Sequence, residues 1–144
     1  VDYAPGKIIA EGIDAGKVME TVSLETAGAV SDLRLKADRY EINADGRDLA
    51  FITIECIDSE GRLVPTADNF LTVTTDGHLS LLGLGNADIK DEGPYFDNTH
   101  RAWKGRALAV VRNDGETGTS TIKVSAKTKN GEILSREIVI KSKK

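Results

Sequence analysis

Apolar and polar residues alternate along most apolar segments of this chain, and turn residues separate the segments at short intervals. An alternation with a period of two places each apolar set on one face of a pleated strand. The sets are Leu33, Leu35 and Ala37, then Ala50, Ile52, Ile54 and Cys56, then Leu71 and Val73, then Ile122, Val124 and Ala126, and finally Ile138 and Ile140. The pattern predicts a series of short strands that each turn one face towards a core.

Dipeptides with a glycine in second place stand between these strands: Asp45-Gly46, Asp76-Gly77, Asp114-Gly115 and Asn130-Gly131. Such pairs tolerate the positive φ angles that tight hairpin turns require. No long window carries a 3.6-residue apolar stripe with helix caps, so no substantial helix is expected. The predicted fold class is all-β, an immunoglobulin-like antiparallel β-sandwich that lacks the Cys, Trp, Cys signature of antibody domains.

The first 28 residues form a separate unit in this pattern. Residues 7–13 and 17–26 flank Asp14-Ala15-Gly16, which predicts an N-terminal β-hairpin. Because a lone hairpin is marginal in water, it must pack on the following domain or be the final piece of a preceding domain. The second origin is favoured, with a remnant hairpin over residues 1–28, a linker at about 27–31 and a sandwich over 29–144.

Composition narrows the classes of function. The chain has 144 residues, of which 40% are hydrophobic and 29% charged, as in an ordinary globular domain. Its 19 Lys and Arg are outnumbered by 23 Asp and Glu, which disfavours nucleic-acid binding. No window approaches the ~18 apolar residues of a membrane span, so none is expected. With one cysteine, Cys56, and two histidines, we expect no internal disulfide, metal site or cofactor.

An ordered series of sequence blocks carries a family resemblance. The blocks are residues 44–54 (ADGRDLAFITI), 58–69 (DSEGRLVPTADN), 83–88 (GLGNAD), 101–112 (RAWKGRALAVVR) and 118–122 (GTSTI). Over roughly residues 30–128 the chain resembles the C-terminal immunoglobulin-like domain of glycoside hydrolase family 2 enzymes, mostly β-galactosidases and their relatives. Residues 3–28 resemble the last two strands of the β-sandwich domain that commonly precedes it.

The resemblance implies a chain with no catalytic residues, because such enzymes carry their acid/base and nucleophile glutamates on a (β/α)₈ barrel that this chain is too short to form. It implies a C-terminal domain of a bacterial β-galactosidase-like glycosidase that packs on the other domains of the parent enzyme, supports the barrel and has a place in substrate access. It also implies a secreted, periplasmic or cell-surface location. The alternatives are an invasin- or adhesin-like surface module and an independent carbohydrate-binding module.

The polar segment 83–103 is long for a connection between strands and holds the candidate binding residues. Sugars are commonly held between an aromatic face and planar polar groups, so the candidates for carbohydrate contact are Asn86, Asp88, Tyr95, His100, Arg101 and Trp103. The alternative is that Trp103 and Phe96 fill the sandwich core or a seam between domains.

Other groups invite simpler interpretations. Oxygen atoms of Asp88, Asp91, Glu92 and Asp97 could hold calcium, but their spacing is not that of an EF-hand and hydration is the simpler expectation. Cys56 alternates with Ile52 and Ile54, which predicts a small core residue. His78 is expected in a turn, and turn or loop positions rather than ligand roles are expected for Asp14, Asp45, Asp58, Asp68 and Asp114.

Overall fold

The computed structural model describes residues 4–144 and confirms the all-β prediction. Its strands are β1 (Lys7–Asp14), β2 (Lys17–Glu25), β3 (Asp32–Ala37), β4 (Glu41–Asn43), β5 (Leu49–Ile57), β6 (Phe70–Asp76), β7 (Leu79–Gly85), β8 (Thr99–Arg101), β9 (Arg106–Asn113), β10 (Gly118–Lys127) and β11 (Ile133–Lys143). Among these residues there is no α-helix of the length and apolarity that a membrane span requires.

Nine strands form two packed sheets. One sheet has the order β4-β11-β10-β6-β8 and the other has the order β3-β5-β9-β7. The chain crosses from the four-stranded sheet to the five-stranded sheet between β3 and β4. Strand β4 then runs parallel to β11, whereas the other pairs are antiparallel. The result is the predicted immunoglobulin-like sandwich with one parallel pair at an edge.

The residues that the alternation placed on one face do lie between the sheets. On β5 the side chains of Ala50, Ile52, Ile54 and Cys56 are fully buried. They face buried apolar residues of the other sheet, which include Leu71, Val73, Ile122, Val124 and Ile140. The burial of Cys56 raises the pKa of its thiol to about 11, as expected of a small core residue rather than a reactive group.

The N-terminal hairpin is present, but it contributes nothing to this core. Strands β1 and β2 pair from Lys7 opposite Glu25 to Asp14 opposite Lys17, and every residue of both strands is exposed. The turn between them has positive φ at Ala15 and Gly16. Its apolar side chains lie open to solvent, namely Ile8, Ile9, Ile13, Val18, Met19, Val22 and Leu24.

One end of the sandwich, which we call the hairpin end, lies next to the hairpin. The linker reaches the sandwich there, because the Ser31 amide donates to the carbonyl of Ile57, the last residue of β5. Strand β7 finishes at the same end, since Gly85 lies opposite Leu108 near the start of β9. The connections at this end are residues 58–69, 86–98, 102–105 and 128–132. The turns 38–40, 44–48, 77–78 and 114–117 lie at the opposite end.

Candidate functional site

The candidate loop is shorter than the sequence indicated. Residues 83–85 complete β7 and residues 99–101 form β8, so the connection is residues 86–98, called loop 86–98 below. Its backbone is tied to both sheets, because the Leu84 amide donates to the Tyr95 carbonyl at 2.7 Å and the Val73 amide donates to the Asn98 carbonyl at 2.8 Å. The loop thus closes the hairpin end between β7 and β6.

The Asn86 side chain holds the loop to β8. Its Nδ2 donates to Asp91 Oδ2 at 2.6 Å and to the Arg101 carbonyl at 2.9 Å, and its Oδ1 accepts a bond from the Asp88 amide at 2.8 Å. The His100 ring lies beside it, with Nδ1 at 3.5 Å from Asn86 Nδ2. Four of the six predicted site residues therefore meet here, Asn86 and His100 through their side chains and Asp88 and Arg101 through their backbone atoms.

Asp91 and His100 form the buried side of this group. A backbone hydrogen bond from Gly93 and a side-chain hydrogen bond from Asn86 lower the pKa of the Asp91 carboxyl. Its Oδ2 lies 3.7 Å from Nδ1 of His100, whose side chain is only 4% exposed. Nε2 of His100 is buried without a hydrogen-bond partner among the described residues.

Tyr95 is the fifth predicted site residue in this group. Its ring stacks on the His100 ring, with centroids 5.5 Å apart and an interplanar angle of 9°. It also lies against the glycine face of β7, where a Cβ at Gly85 would be 2.3 Å from the Tyr95 ring. The ring is fixed on two sides and remains half exposed. About half of the Tyr95 side chain is therefore accessible to a partner.

Trp103 lies apart from these five residues. It is partly buried in the tight turn between β8 and β9, where it exchanges backbone hydrogen bonds with Arg106. The ammonium of Lys104 lies 4.6 Å from the centre of its ring. Phe96 is 80% exposed, so the alternative in which it fills the sandwich core is wrong.

The carboxylates of the loop do not converge. No group of three or more His, Cys, Asp or Glu side chains within residues 4–144 is arranged to hold a metal ion. A shallow depression of about 420 Å³ lies beside the loop, lined by Phe70, Lys90, Glu92, Thr99 and Arg101 among others. The arrangement can present a fixed surface, and these residues offer no acid/base pair poised over a cleft.

A second polar group at this end escaped the sequence analysis, which placed Asp58 in a turn. Asp58 does lie in a turn, but its side chain is only 2% exposed. Its two oxygens accept bonds from the amides of Gly28, Glu60 and Arg62 and from Nε of Arg62. Arg62 also pairs with Glu25, the last residue of β2, at 2.9 Å. The group therefore joins the hairpin, the linker and the sandwich.

The block DSEGR at residues 58–62 held a signal for this group, because it places an arginine four residues after an aspartate within a turn. The partner Gly28 is 30 residues away, and only the folded chain brings it to Asp58.

Known proteins match both the sequence and the fold. The family model described as glycoside hydrolase family 2 C-terminal domain 5 matches residues 33–134. The β-galactosidase BoGH2A of Bacteroides ovatus is 34% identical over 122 residues, which are 85% of this chain and 14% of that protein.

Solved structures extend the match to the hairpin. A glycosyl hydrolase family 2 member from Bacteroides cellulosilyticus has a TM-score of 0.86 and 38% identity over 100% of this chain and 18% of its own. A β-glycosidase from Bacteroides vulgatus has a TM-score of 0.84 and 30% identity over 98% of this chain and 18% of its own. A C-terminal fragment of intimin, at 16% identity and a TM-score of 0.51, shares the fold alone.

The chain spans 14 to 18% of the length of these family 2 relatives. The conserved sandwich, the ordered sequence blocks and the match over residues 33–134 agree with one another. The chain therefore belongs to the glycoside hydrolase family 2 C-terminal domain 5 family.

Proposed function

We propose that this chain is the non-catalytic C-terminal part of a β-galactosidase-like family 2 glycosidase, and that it acts by packing on the other domains of that enzyme. The observation that carries the proposal is the match of residues 33–134 to a C-terminal domain of this family. The relatives that share it are a β-galactosidase and other family 2 glycosidases. The described residues add a two-sheet sandwich as the body that would pack on those domains.

We also propose that the hairpin completes a preceding domain of the parent enzyme. Every residue of β1 and β2 is exposed, and a two-stranded sheet of this kind is marginal in water by itself. The Asp58, Arg62 and Glu25 group holds its last strand against the sandwich. The hairpin would thus transmit the orientation of one domain to the next.

The test compares the parent polypeptide with this chain on a chromogenic β-galactoside. We expect turnover by the parent and none by the purified 144-residue chain, and we expect the parent truncated before this chain to lose thermal stability. Turnover by the pure chain that disappears on changing Asp88 or Glu92 to alanine would overturn the assignment. The assignment would also be overturned if the parent had no barrel with two catalytic glutamates.

Direct sugar contact is a second candidate, favoured by the half-exposed Tyr95 ring that His100 and Gly85 hold in place. Because the side chains of Asn86 and Asp91 already hold hydrogen bonds to the loop and to β8, we assign the sugar contact to Tyr95, Arg101 and Trp103. Calorimetric titration with galactosides and plant glycans tests this, with loss of binding expected for Trp103→Ala and Tyr95→Ala. Absence of binding to the whole panel removes the candidate.

Export is a further proposal, supported by the family resemblance alone. The parent protein is expected in the periplasmic, cell-surface or secreted fraction of its host. Fractionation with an antibody against this chain tests the proposal, and recovery of the protein in the cytoplasmic fraction alone would contradict it.

A further inference from the structure

The hairpin end carries two large apolar side chains that the sandwich does not use. Ile89 is 97% exposed and Phe96 is 80% exposed, and both belong to loop 86–98. A single exposed apolar residue on a protein surface is ordinary. Here the loop that carries both is fixed by the Asn86 side chain and by the backbone bonds to Leu84 and Val73. The fold thus holds both side chains out on a well-fixed connection.

The same loop is acidic. It holds Asp88, Asp91, Glu92 and Asp97 against a single lysine, Lys90. Asp91 is committed to Asn86 and Gly93, whereas Glu92 and Asp97 are exposed and make no ion pair within residues 4–144. A surface that buried this loop would therefore have to supply positive charge around an apolar centre.

The position of the loop indicates which surface that is. Loop 86–98 lies at the hairpin end, and the chain that leads into β1 also lies there, since the Thr26 amide donates to the Gly6 carbonyl. The family is a C-terminal domain, and this chain spans only 14 to 18% of its relatives. In the proposed parent a C-terminal domain follows other domains, and a polypeptide that continued before residue 4 would approach this end of the sandwich.

We propose that loop 86–98 docks on the upstream part of the same polypeptide, where Ile89 and Phe96 enter an apolar depression edged by lysine or arginine side chains. This inference rests on the proposed function, because it needs the upstream domains of the parent enzyme. A second copy of this chain is a poorer occupant. A two-fold interface through the loop would set its unpaired carboxylates, Glu92 and Asp97, against themselves.

Hydroxyl-radical footprinting of the parent enzyme and of the 144-residue chain tests the proposal. Three exposed side chains report on three places: Phe96 on the loop, Met19 on the hairpin and Tyr40 on the opposite end of the sandwich. We expect oxidation of Phe96 and Met19 to fall severalfold in the parent. Oxidation of Tyr40 should be the same in both proteins.

The outcomes separate the two proposals. If Met19 is protected in the parent and Phe96 is oxidised as fast as in the 144-residue chain, the docking of the loop is overturned and the proposed function stands. If neither is protected, both are overturned. If Phe96 is protected only at high protein concentration and the protection is lost on dilution, the loop binds a second copy, and the docking is again overturned.

A charge reversal tests the basic edge of the depression. In the parent, Glu92→Lys should raise the oxidation of Phe96 severalfold at low salt, because a positive charge then meets positive charge. The matched control is Glu116→Lys, a reversal at an exposed glutamate in the β9–β10 turn at the opposite end, which should change nothing at Phe96. Equal Phe96 oxidation in the Glu92→Lys parent and the unmodified parent would overturn the charge complementarity.

Discussion

Asp58 shows how a single residue can fix the junction between the hairpin and the sandwich. The hydrogen bond from the backbone amide of Gly28 lowers the pKa of its carboxyl most. The backbone amide and the guanidinium of Arg62 and the backbone amide of Glu60 lower it further, so that the pKa falls from 3.8 to about 2. Each of these donors favours the charged form. An ionised Asp58 is thus part of the folded state.

We predict that Asp58→Asn lowers the midpoint of thermal unfolding at pH 7 by about 5 °C or more, because the amide group offers a donor where the carboxylate accepted bonds. Since the folded pKa lies below the unfolded one, the stabilisation is fully present above pH 3.8 and is lost as the pH falls towards 2. Urea unfolding from pH 7 to pH 2.5 should therefore show the gap between wild type and variant narrowing below pH 4.

The control for this experiment is Glu60→Gln, which neutralises an exposed carboxylate in the same turn and keeps the Glu60 amide that donates to Asp58. Its stability should follow the wild type at every pH. A gap for Asp58→Asn that stays constant from pH 7 to pH 2.5 would contradict the assignment of the low pKa.

The backbone at position 105 adopts a conformation that only glycine fits without strain. It has a φ of 78°, and a Cβ there would lie 2.4 Å from the carbonyl oxygen of Val64. We predict that Gly105→Ala lowers the free energy of unfolding by about 3 kcal/mol. Gly131 has a φ of 86° and no atom within 4 Å of its Cβ position, so Gly131→Ala should cost only about 1 kcal/mol. Denaturant unfolding measures both, and equal losses would show that the Val64 contact is unimportant.

At the scale of an element, the Asn86 side chain binds loop 86–98 to β8 through the Arg101 carbonyl, beside the stacking of Tyr95 on His100. We predict that Asn86→Ala speeds amide hydrogen exchange in residues 88–98 about tenfold or more, because three hydrogen bonds are lost and a partly buried oxygen of Asp91 loses its donor. Exchange in β5 should be unchanged.

Asn98→Ala is the matched control for that experiment. Its side chain has one long contact, 3.5 Å to Thr99 Oγ1, while the Asn98 carbonyl that binds Val73 survives the substitution. Exchange in the loop should then follow the wild type. Equal acceleration in both variants would mean that the Asn86 side chain does not hold the loop.

Strands β3, β5, β6, β10 and β11 could be predicted from the sequence because burial on one face of a strand is a local, period-two property. Ala50, Ile52, Ile54 and Cys56 show it in full, since all four are completely buried. The network of the loop could not be predicted, because the Arg101 carbonyl that Asn86 binds is 15 residues away and belongs to another strand. The parallel pairing of β4 with β11 joins positions about 100 residues apart, and no local pattern encodes it.

At the scale of the whole molecule, the chain is a sandwich core and a hairpin that share almost no buried surface. All buried apolar residues among those described lie between Leu33 and Ile140, and none lies in β1 or β2. Among the described residues, the linker bonds and the Arg62–Glu25 pair join the two parts, and an open groove separates the hairpin base from residues 63–66. The hairpin should therefore be dispensable for folding.

We predict that residues 26–144 fold alone with a melting temperature within about 4 °C of the full chain, because a loss of one exposed ion pair costs at most ~1 kcal/mol. Keeping residue 26 preserves the Gly28 amide and with it the main partner of Asp58. Circular dichroism and calorimetry measure the melting, and an amide spectrum of the shortened chain should overlay on that of the full chain for β5, β9 and β10. A shortened chain that aggregates or melts far below the full chain would mean that the hairpin belongs to the sandwich, and not to the domain before it.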